Sequence, residues 1–533
     1  MIFKIIKLLE INICVIILTI VLLPIGLSSA QVLADESHKA FEELPPNLLE
    51  AKDTGFTTEK NLSYFIQAKS YSTARDTEPP RYVKQASKTW LNDYGDFKNL
   101  NWLDVGLDYR LRYEYRDNDF RRTQGVVDEP ILLRTRAYVA IKEILDPLRF
   151  TLEIEDSRRN HSQFSRSFDT RDINLSEPIQ AYLEFHFKEN FLGKDSHGND
   201  RPISIKAGRQ AFDFLDRRLI SRNEWRNTTN AFQGIRATAG QQANDWQLDF
   251  LALKPMQRFG DRLDEVDHAQ DLYGVIGAWR AWSGVVTIEP YYLKLRQNGS
   301  KVKFGVNGDP ASASAKINRD INTLGIRAYG VSSSTGWDYD LTYSRQWGDQ
   351  DSLINIGTKL DHKAYAYTTE VGYSFKNKYK PRVSAFYGVV TGDQNIADNS
   401  DQRFDRLFGF GRPWSSSDYI QMENIEALKL RVEAEPILSW IEHLKVDAGY
   451  SWYQLENARD RWSAANNLID KTGKSGNDLG QEFDARIRFP ISPYVGANLG
   501  YSHFWGGDFV KNNYPSRQKE SDFLYLEVSV SAF

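Results

Sequence analysis

The residues of this chain that could do chemistry are arginines and carboxylates placed at every second position. Residues 103–116 have the sequence LDVGLDYRLRYEYR, in which odd positions are apolar or aromatic and even positions are charged or glycine. A guanidinium group keeps its charge at every physiological pH and binds a carboxylate through two parallel N–H groups. Such a row of side chains could bind an anionic solute, and the acids between the arginines would keep each contact weak.

These side chains must be positioned by a secondary-structure element in which the side-chain direction repeats every two residues. Successive side chains of a β-strand leave opposite faces, so the alternation predicts a strand with one ionic and one apolar face. This pattern is typical of a transmembrane barrel strand, which has water on one side and lipid on the other. The alternation continues to the end of the chain. It predicts about eighteen strands, at residues 102–116, 130–144, 148–155, 178–188, 203–209, 231–239, 246–254, 272–282, 285–296, 322–331, 337–347, 364–375, 381–391, 425–435, 444–455, 480–489, 494–503 and 522–533.

The connections between these strands support a barrel independently, because their lengths alternate. Short links lie at residues 146–147, 241–245, 283–284, 332–336, 376–380 and 491–493. Long polar links lie between them, at residues 117–129, 156–177, 210–230, 255–271, 297–321, 348–363, 392–424, 456–479 and 504–521. Outer-membrane barrels have short periplasmic turns, long extracellular loops and an even number of strands. The predicted fold is therefore all-β, a transmembrane antiparallel β-barrel of about 18 strands with a short N-terminal periplasmic extension. One link, 189–202, is longer than this pattern requires.

Composition excludes some classes of function. The 533 residues carry a formal charge of −4 and 13% aromatic side chains, and the mean hydropathy is −0.53. A near-neutral charge gives no reason to expect nucleic-acid binding. The low mean hydropathy is compatible with a barrel, because alternation hides the lipid-facing half of each strand. The single cysteine, Cys14, lies near the N-terminus, so we expect no disulfide and no cysteine-bound metal in the mature protein.

Three segments are predicted along the chain. Residues 1–30 are typical of a signal peptide, with Lys4 and Lys7 before an apolar run and small residues at the end. A single membrane-anchoring helix is the alternative, disfavoured because the apolar run is shorter than the roughly 20 residues of a span. Residues 31–100 are polar and predict a periplasmic N-terminal extension rather than a lumen-filling plug of the TonB type, for which they are few. Residues 101–533 are the predicted outer-membrane barrel.

The charged side of each strand is predicted to line the lumen. The candidate pore-lining residues are Arg110, Arg112, Glu114, Arg134, Arg136, Arg149, Glu153, Arg209, Arg236, Arg431, Glu433, Asp484, Arg486 and Arg488. Arginines at repeated positions suit a series of weak carboxylate sites that a polymer can enter and leave. The alternative is a solvated wall whose charges neutralise one another across strands, each pair contributing about 0.2–1 kcal/mol. Arg209 has the parity of the lipid side, and a bulge after Gly208 would turn it inward.

The sequence contains no strong pattern for catalysis or for a cofactor. Glu184 and His186 share one strand face and could form an acid–base or metal pair, but such spacing is common by chance. There is no Gly-x-Ser-x-Gly nucleophile motif and no glycine-rich phosphate loop. We therefore predict a protein that is not an enzyme and that needs no cofactor and no metal.

Two blocks of sequence resemble the alginate-export family of outer-membrane barrels. The first contains ISIKAGRQ at 203–210, RLI at 218–220, WRN at 225–227 and FQGIR at 232–236. The second contains DLGQEFD at 478–484, GYSHFWGGDF at 500–509 and DFLY at 522–525. The resemblance implies an eighteen-strand monomeric barrel with an arginine-rich, electropositive constriction that passes a polyuronate such as alginate out of the cell. Arg209 and Arg236 lie within matching motifs, and the resemblance implies that they face the lumen.

Together the patterns favour a pore in the bacterial outer membrane for an anionic solute, foremost an acidic polysaccharide. The alternatives are a selective uptake porin for small anionic solutes, a barrel enzyme, and a structural or adhesive barrel with a filled lumen. Residues 392–424, with Arg403, Arg406 and Arg412, form either a lid or constriction, or a plain surface loop. The expected partners are outer-membrane lipid, the anionic solute and periplasmic export proteins that dock on residues 31–100. We expect a monomer.

Overall fold

The strands close into one antiparallel barrel. The computed structural model describes residues 63–533 except 76, 96–97, 165–168, 284, 353–356 and 439–443, so the predicted signal peptide, 1–30, lies outside the described residues. The barrel strands are β1 Leu103–Asp117, β2 Ile131–Ile141, β3 Leu148–Asn160, β4 Asn174–Phe187, β5 Ile203–Gln210, β6 Phe232–Gly240, β7 Trp246–Gln257, β8 Gln270–Ser283, β9 Val286–Gln297, β10 Arg319–Val331, β11 Trp337–Asp351, β12 Lys359–Ser374, β13 Arg382–Val390, β14 Ile425–Ala434, β15 Lys445–Gln454, β16 Asp478–Pro490, β17 Val495–Gly506 and β18 Glu520–Ser531. Each pairs with its neighbours in sequence, and β1 also pairs with β18, which closes the sheet. The predicted 18-strand barrel is confirmed.

Some strands continue further than the alternation predicted. β3 reaches Asn160, where the pattern predicted its end at residue 155, and β12 begins at Lys359 rather than at residue 364. The added residues are mostly polar on both faces, so they lack the apolar side that marks a strand in sequence. Cross-strand pairing with the neighbouring strands extends them, a contribution that a single sequence does not display.

The connections define two ends of the barrel. At the short-turn end, residues 142–147, 241–245 and 332–336 join consecutive strands, and β1 begins and β18 ends there. The long loops emerge at the opposite, long-loop end. Residues 188–202 are a long connection at the short-turn end, as the sequence indicated.

Short elements accompany the barrel. The short strands are Val83–Gln85, Glu265–Val266, Ser400–Asp401, Arg461–Trp462 and Leu468–Ile469. The helices are α1 Asp508–Asn513 and four 3-10 turns, Ala86–Lys88, Trp90–Asp93, Gly299–Lys301 and Ala313–Ala315. None of the helices in the described part of the chain combines the length and apolar character needed to span a bilayer.

The outer face of the barrel is apolar. Leu183, Leu324 and Val432 expose 46%, 54% and 55% of their surface. Large aromatic side chains, such as Trp282 and Trp337, are exposed near the short-turn end. Exposed apolar area of this extent, with aromatics at its border, is the surface that a lipid bilayer covers.

Two long loops fold into the barrel. Residues 211–231, which we call the first inserted loop, connect β5 to β6, and residues 391–424, the second inserted loop, connect β13 to β14. Phe212, Leu219 and Trp414 of these loops are buried. They form one apolar core with inward-facing side chains of the wall, which include Leu251, Leu253, Leu272 and Leu293. The inner face of β7–β9 is therefore apolar where the inserted loops cover it, and buried charges such as Asp249 and Glu289 lie nearer the short-turn end.

The N-terminal part of the described chain also lies inside the wall. Residues 63–82, which we call the strap, cross the short-turn half of the lumen. The Tyr64 amide donates to a carbonyl in the β6–β7 turn at 3.0 Å, the Tyr71 amide donates to a β12 carboxylate at 3.1 Å, and the Tyr82 hydroxyl donates to a β3 carboxylate at 2.6 Å. β3 and β12 are nine strands apart, on opposite sides of the barrel. The next residues, Val83–Gln85, pair with β1 at Asp104–Gly106.

Candidate functional site

The structure brings most of the predicted lumen residues onto one sector of the wall. Strands β14–β18 and β1–β3 are contiguous because β1 pairs with β18. This sector carries Arg110, Arg112, Glu114, Arg134, Arg136, Arg149, Glu153, Arg431, Glu433, Asp484, Arg486 and Arg488. Closure of the sheet places side chains from the two ends of the chain side by side.

In the β1–β3 part of this sector, arginines and acids bond one another along the wall. Arg112 and Arg116 donate to the two oxygens of Glu114, at 2.9 and 2.8 Å. Arg136 donates to Glu155 at 2.9 Å. These side chains are buried from solvent. The self-neutralising wall that the sequence offered as an alternative therefore describes part of this cluster.

In the β14–β16 part, cations outnumber the acids that they contact. Arg431 donates to both oxygens of Asp484 at 2.8 Å. Arg431 also pairs with Asp447, which accepts from Arg486 and Arg488 at 3.1 Å each. Three guanidinium groups thus share two carboxylates, and the cluster keeps a positive surplus.

Two predicted residues of the sector form separate ion pairs. Arg149 donates to Asp146 of the β2–β3 turn at 2.9 Å. Glu433 accepts from Arg382 of β13 at 3.0 Å. Both pairs lie toward the short-turn end, and Glu433 is the cross-strand neighbour of Asp447 in the β14–β16 cluster.

The remaining two predicted residues lie on β5 and β6. Arg236 is buried and donates to Asp249 of β7 at 3.0 Å. Arg209 donates to the carbonyl of Pro178 at 2.9 Å, at the long-loop end of β5. Gly208 has a φ of +136°, but β5 keeps a regular register with β4 on both sides of it. The bulge expected after Gly208 is therefore absent. The pairing of β4 with β3 contains a bulge instead.

The first inserted loop caps the β1–β3 cluster with backbone carbonyls. Arg110 donates to the carbonyls of Glu224 and Arg226, both at 2.8 Å, and Arg112 donates to that of Trp225 at 2.7 Å. A carbonyl satisfies a guanidinium N–H but adds no negative charge. These contacts therefore fix the arginines without neutralising them.

The two inserted loops are joined across the lumen. The amide of Phe408 donates to the carbonyl of Leu219 at 2.9 Å, and the amide of Phe410 donates to that of Arg217 at 2.9 Å. The Ser221 amide returns a bond to the Phe408 carbonyl at 3.2 Å. The second inserted loop lies inside the barrel, in agreement with the constriction interpretation and against the surface-loop alternative.

A stack of three side chains couples both loops to the wall. The Trp225 ring has the guanidinium of Arg112 at 4.0 Å and that of Arg412 at 3.7 Å from its centre. Arg112 belongs to β1, Trp225 to the first inserted loop and Arg412 to the second. Cation–π contacts at partly desolvated sites are worth about 0.5–2 kcal/mol each.

At the long-loop end a narrow cleft of about 30 Å³, lined by six arginines and five carboxylates, opens beside these loops. One of its arginines, Arg226, forms no ion pair within the described part of the chain. Burial and the nearby guanidinium groups of Arg258, Arg171 and Arg406 lower the pKa of Arg226 to about 9, and the carboxylate of Asp418 opposes the shift. Arg226 is still charged at neutral pH. An anionic ligand would relieve the repulsion among these like charges.

The second inserted loop carries a buried carboxyl group, Asp393, whose pKa is raised. Burial, with Asp401 and Asp460 nearby, raises the pKa of Asp393 to about 6, and Arg403 opposes the shift. Its Oδ1 has no hydrogen-bond partner in the described chain. The folded pKa lies above the unfolded one, so stability falls as pH rises from about 4 to 6.

We expect Asp393→Asn to raise the free energy of unfolding by about 1–2 kcal/mol at pH 7.5 and by much less at pH 4. The amide removes the charge that burial disfavours, and at pH 4 the folded protein already holds Asp393 protonated. Urea unfolding in lipid vesicles at both pH values measures the difference. Asp398→Asn, an exposed change in the same loop, serves as the control. An equal gain at both pH values would show that charge is not the cause.

The pair considered for catalysis lacks the arrangement of an acid–base site. Glu184 and His186 lie 3.7 Å apart, and Ser204 bonds to Glu184 rather than to the imidazole. No group of three or more His, Cys, Asp or Glu that could hold a metal occurs among the described residues.

The sequence interpretation missed the contribution of the first inserted loop and of the strap. Glu224, Trp225 and Arg226 bond or stack on wall arginines, and Tyr71 and Glu78 of the strap contact cations of the wall. One signal was present, because Trp225 and Arg226 fall within a block that resembles a family although they lie in a predicted loop. For the strap, the sequence offered no comparable signal.

A closed barrel of eighteen strands, with loops folded into an arginine-rich lumen, defines a pore of the outer membrane. Residues 101–523 match the family model described as alginate export, and the chain belongs to the alginate-export family. No curated protein sequence matches the chain.

Solved structures with a similar fold come from Pseudomonas aeruginosa. OccK2 (OpdF) is 11% identical with a TM-score of 0.51, and the match covers 80% of this chain and 97% of that one. OccK2 (OpdF) in complex with glucuronate is 12% identical with a TM-score of 0.50 and the same coverage. OccK8 (OprE) is 12% identical with a TM-score of 0.48 and covers 80% and 98%. At these identities the likeness concerns the fold.

Proposed function

We propose that the protein passes an anionic polysaccharide of the polyuronate type across the outer membrane. The observation that carries the proposal is Arg226, a guanidinium in the cleft that three neighbouring arginines repel. Asp418 attracts it, but Arg226 forms no ion pair with a carboxylate among the described residues. A uronate carboxylate carries the negative charge needed to form an ion pair with Arg226. Membership of the alginate-export family supports the same class of substrate.

The wall arginines suit passage rather than capture. A polymer moves only if each site holds it weakly and offers the next site within reach. Along the lumen, Asp447 pairs with the partly exposed Arg486 and Arg488 and competes with a passing carboxylate, so each contact is an exchange of partners. The carbonyls of the first inserted loop hold Arg110 in place during that exchange.

The second candidate function is selective uptake of small anionic solutes. The joined inserted loops favour it, because a bridge across the lumen narrows the path. Comparing an anionic monosaccharide with its oligomer separates the two candidates. A pore for polymers is blocked at lower concentration by an oligouronate than by glucuronate, whereas a pore for small solutes is not.

The proposal has consequences for the protein in the cell. Residues 1–30 are a signal peptide that is removed. Of the predicted periplasmic extension, 31–100, residues 63–82 form the strap inside the barrel, and export proteins dock on the rest. The barrel acts as a monomer in the outer membrane. It uses no cofactor and drives no reaction, so the direction of transport follows from its partners.

Arg226→Gln is expected to reduce anion selectivity. A unit charge about 10 Å from a permeating ion changes the ion's energy by about 0.4 kcal/mol at the dielectric constant of water, roughly a factor of two in occupancy. The reversal potential in a planar bilayer under a salt gradient measures the anion-to-cation permeability ratio. Half-blocking concentrations of oligouronate are measured on the same channels.

Arg345→Gln is the matched control, because Arg345 is exposed on the outer face of β11. It removes the same charge from the lipid side and should leave selectivity unchanged. An unchanged reversal potential in Arg226→Gln, or a cation-selective wild type, would contradict the proposal.

A further inference from the structure

A carboxylate of the strap lies on two cations of the pore wall. The two oxygens of Glu78 accept from Arg236 Nη1 at 2.8 and 3.0 Å. Lys206 Nζ donates to Glu78 at 3.0 Å. Arg236 belongs to β6 and Lys206 to β5, so the cations are part of the barrel and the carboxylate is not.

The exposure of these side chains shows which partner can be exchanged. Arg236 and Lys206 are 8% and 16% exposed, whereas Glu78 is 41% exposed. Arg236 keeps a second partner, Asp249 at 3.0 Å. Lys206 forms its one ion pair in the described chain with Glu78. Departure of Glu78 would leave Lys206 without an ion pair among the described residues, since Glu184, its cross-strand neighbour on β4, lies outside ion-pair distance and bonds to Ser204.

We propose that Arg236 and Lys206 form a carboxylate subsite of the pore, and that Glu78 occupies it in competition with the carboxylate of a carboxylated sugar. The inference rests on the proposed function, since it assumes an anionic solute. Aromatic rings flank the subsite, with Tyr182 5.1 Å from the Lys206 ammonium and Phe214 4.8 Å from the Arg236 guanidinium. Such rings suit the apolar face of a sugar better than an inorganic anion.

Other contacts of the strap with the wall are single ion pairs, hydrogen bonds and ring contacts. Arg75 pairs with Glu289 of β9 at 2.8 Å and is 22% exposed. The Tyr71 amide donates to Glu370 at 3.1 Å, and its ring lies 3.6 Å from the Arg431 guanidinium. A tethered group competes at an effective concentration of about millimolar. A carboxylated sugar at millimolar concentration can therefore compete with Glu78 for the subsite.

Glu78→Gln tests the competition. The amide keeps the shape of the side chain and removes its charge, so the subsite becomes available. We expect glucuronate to block the full-length channel at a concentration about tenfold lower than in the wild type, the change that loss of a charge-assisted bond produces. Glu189→Gln, an exposed change in the β4–β5 turn, is the matched control, and glucuronate should block this channel at the same concentration as the wild type.

A second readout follows the strap itself. Thr73 is 2% exposed. In a Cys14→Ser background, Thr73→Cys places a thiol on the strap. Its labelling by a membrane-impermeant maleimide should be slow, and about tenfold faster once glucuronate or Glu78→Gln displaces the strap.

The outcomes are separable. Tighter block in Glu78→Gln that is lost again in Glu78→Gln/Lys206→Gln, with faster labelling, supports the subsite. If Glu78→Gln were blocked and labelled like Glu189→Gln, the proposal would be overturned. It would also be overturned if Glu78→Gln/Lys206→Gln were blocked as tightly as Glu78→Gln. A wild-type channel without anion selectivity would contradict the proposed function instead, and thiol labelling with glucuronate would still decide whether the strap is displaced.

Discussion

Replacing Arg327 with alanine is expected to lower the free energy of unfolding by about 3–5 kcal/mol. Arg327 lies on β10 and is 2% exposed. It donates to Glu289 of β9 at 3.0 Å, to Asp340 of β11 at 2.7 Å and to the carbonyl of Leu215 in the first inserted loop at 3.0 Å. Without it, Asp340 loses the one ion pair that it forms within the described residues, and Glu289 keeps only Arg75.

Urea unfolding of the variant in lipid vesicles measures this loss. Arg345→Ala removes an exposed arginine from the next strand and should change the free energy of unfolding by no more than about 0.5 kcal/mol. If Arg327→Ala were as mild as this control, the buried pairs would not hold β9, β10 and β11 to the inserted loop.

The second large effect is expected from Gly409→Ala, which should raise the open-channel conductance. A Cβ at Gly409 would lie 1.7 Å from the carbonyl oxygen of Arg218, so the two inserted loops must move apart. Overpacking costs about 1–3 kcal/mol, comparable with the three hydrogen bonds that join the loops, each worth about 1 kcal/mol. An eighteen-strand barrel without such a bridge keeps an aqueous channel. Single-channel recording measures the change.

Gly305→Ala is the control for this change. Gly305 lies in another long loop, and the nearest atom to its added Cβ, a backbone oxygen, is 3.7 Å away. Its conductance should equal that of the wild type. If Gly409→Ala conducted no more than this control, the bridge between the loops would not limit the current.

Alternation and loop length were enough to predict the barrel, because each strand carries its own apolar and polar faces. The strand count, the closed sheet and the long β4–β5 connection all followed from local patterns. Strand ends such as Asn160 did not, because polar residues on both faces give no alternation. Those ends depend on hydrogen bonds to neighbours that are distant in sequence.

The interior was predicted only in part. Parity indicated that Arg112 faces inward, yet its ion pair with Glu527 of β18 arises from barrel closure, which no single strand encodes. Residues 248–253, LDFLAL, have apolar side chains on both parities, a sign that both faces of β7 are covered. That sign could have predicted an inserted loop. Glu78 could not have been found, because its partners lie more than a hundred residues away.

Both ends of the strap leave the lumen at the short-turn end, and this has a mechanical consequence. A force that pulls on the chain before Tyr64 breaks the contacts of the strap one after another rather than all at once. Each step breaks bonds worth about 1 kcal/mol, and the wall's own ladder stays intact. The three paired residues Val83–Gln85 hold the far end to β1, so a displaced strap stays tethered at the mouth and can return.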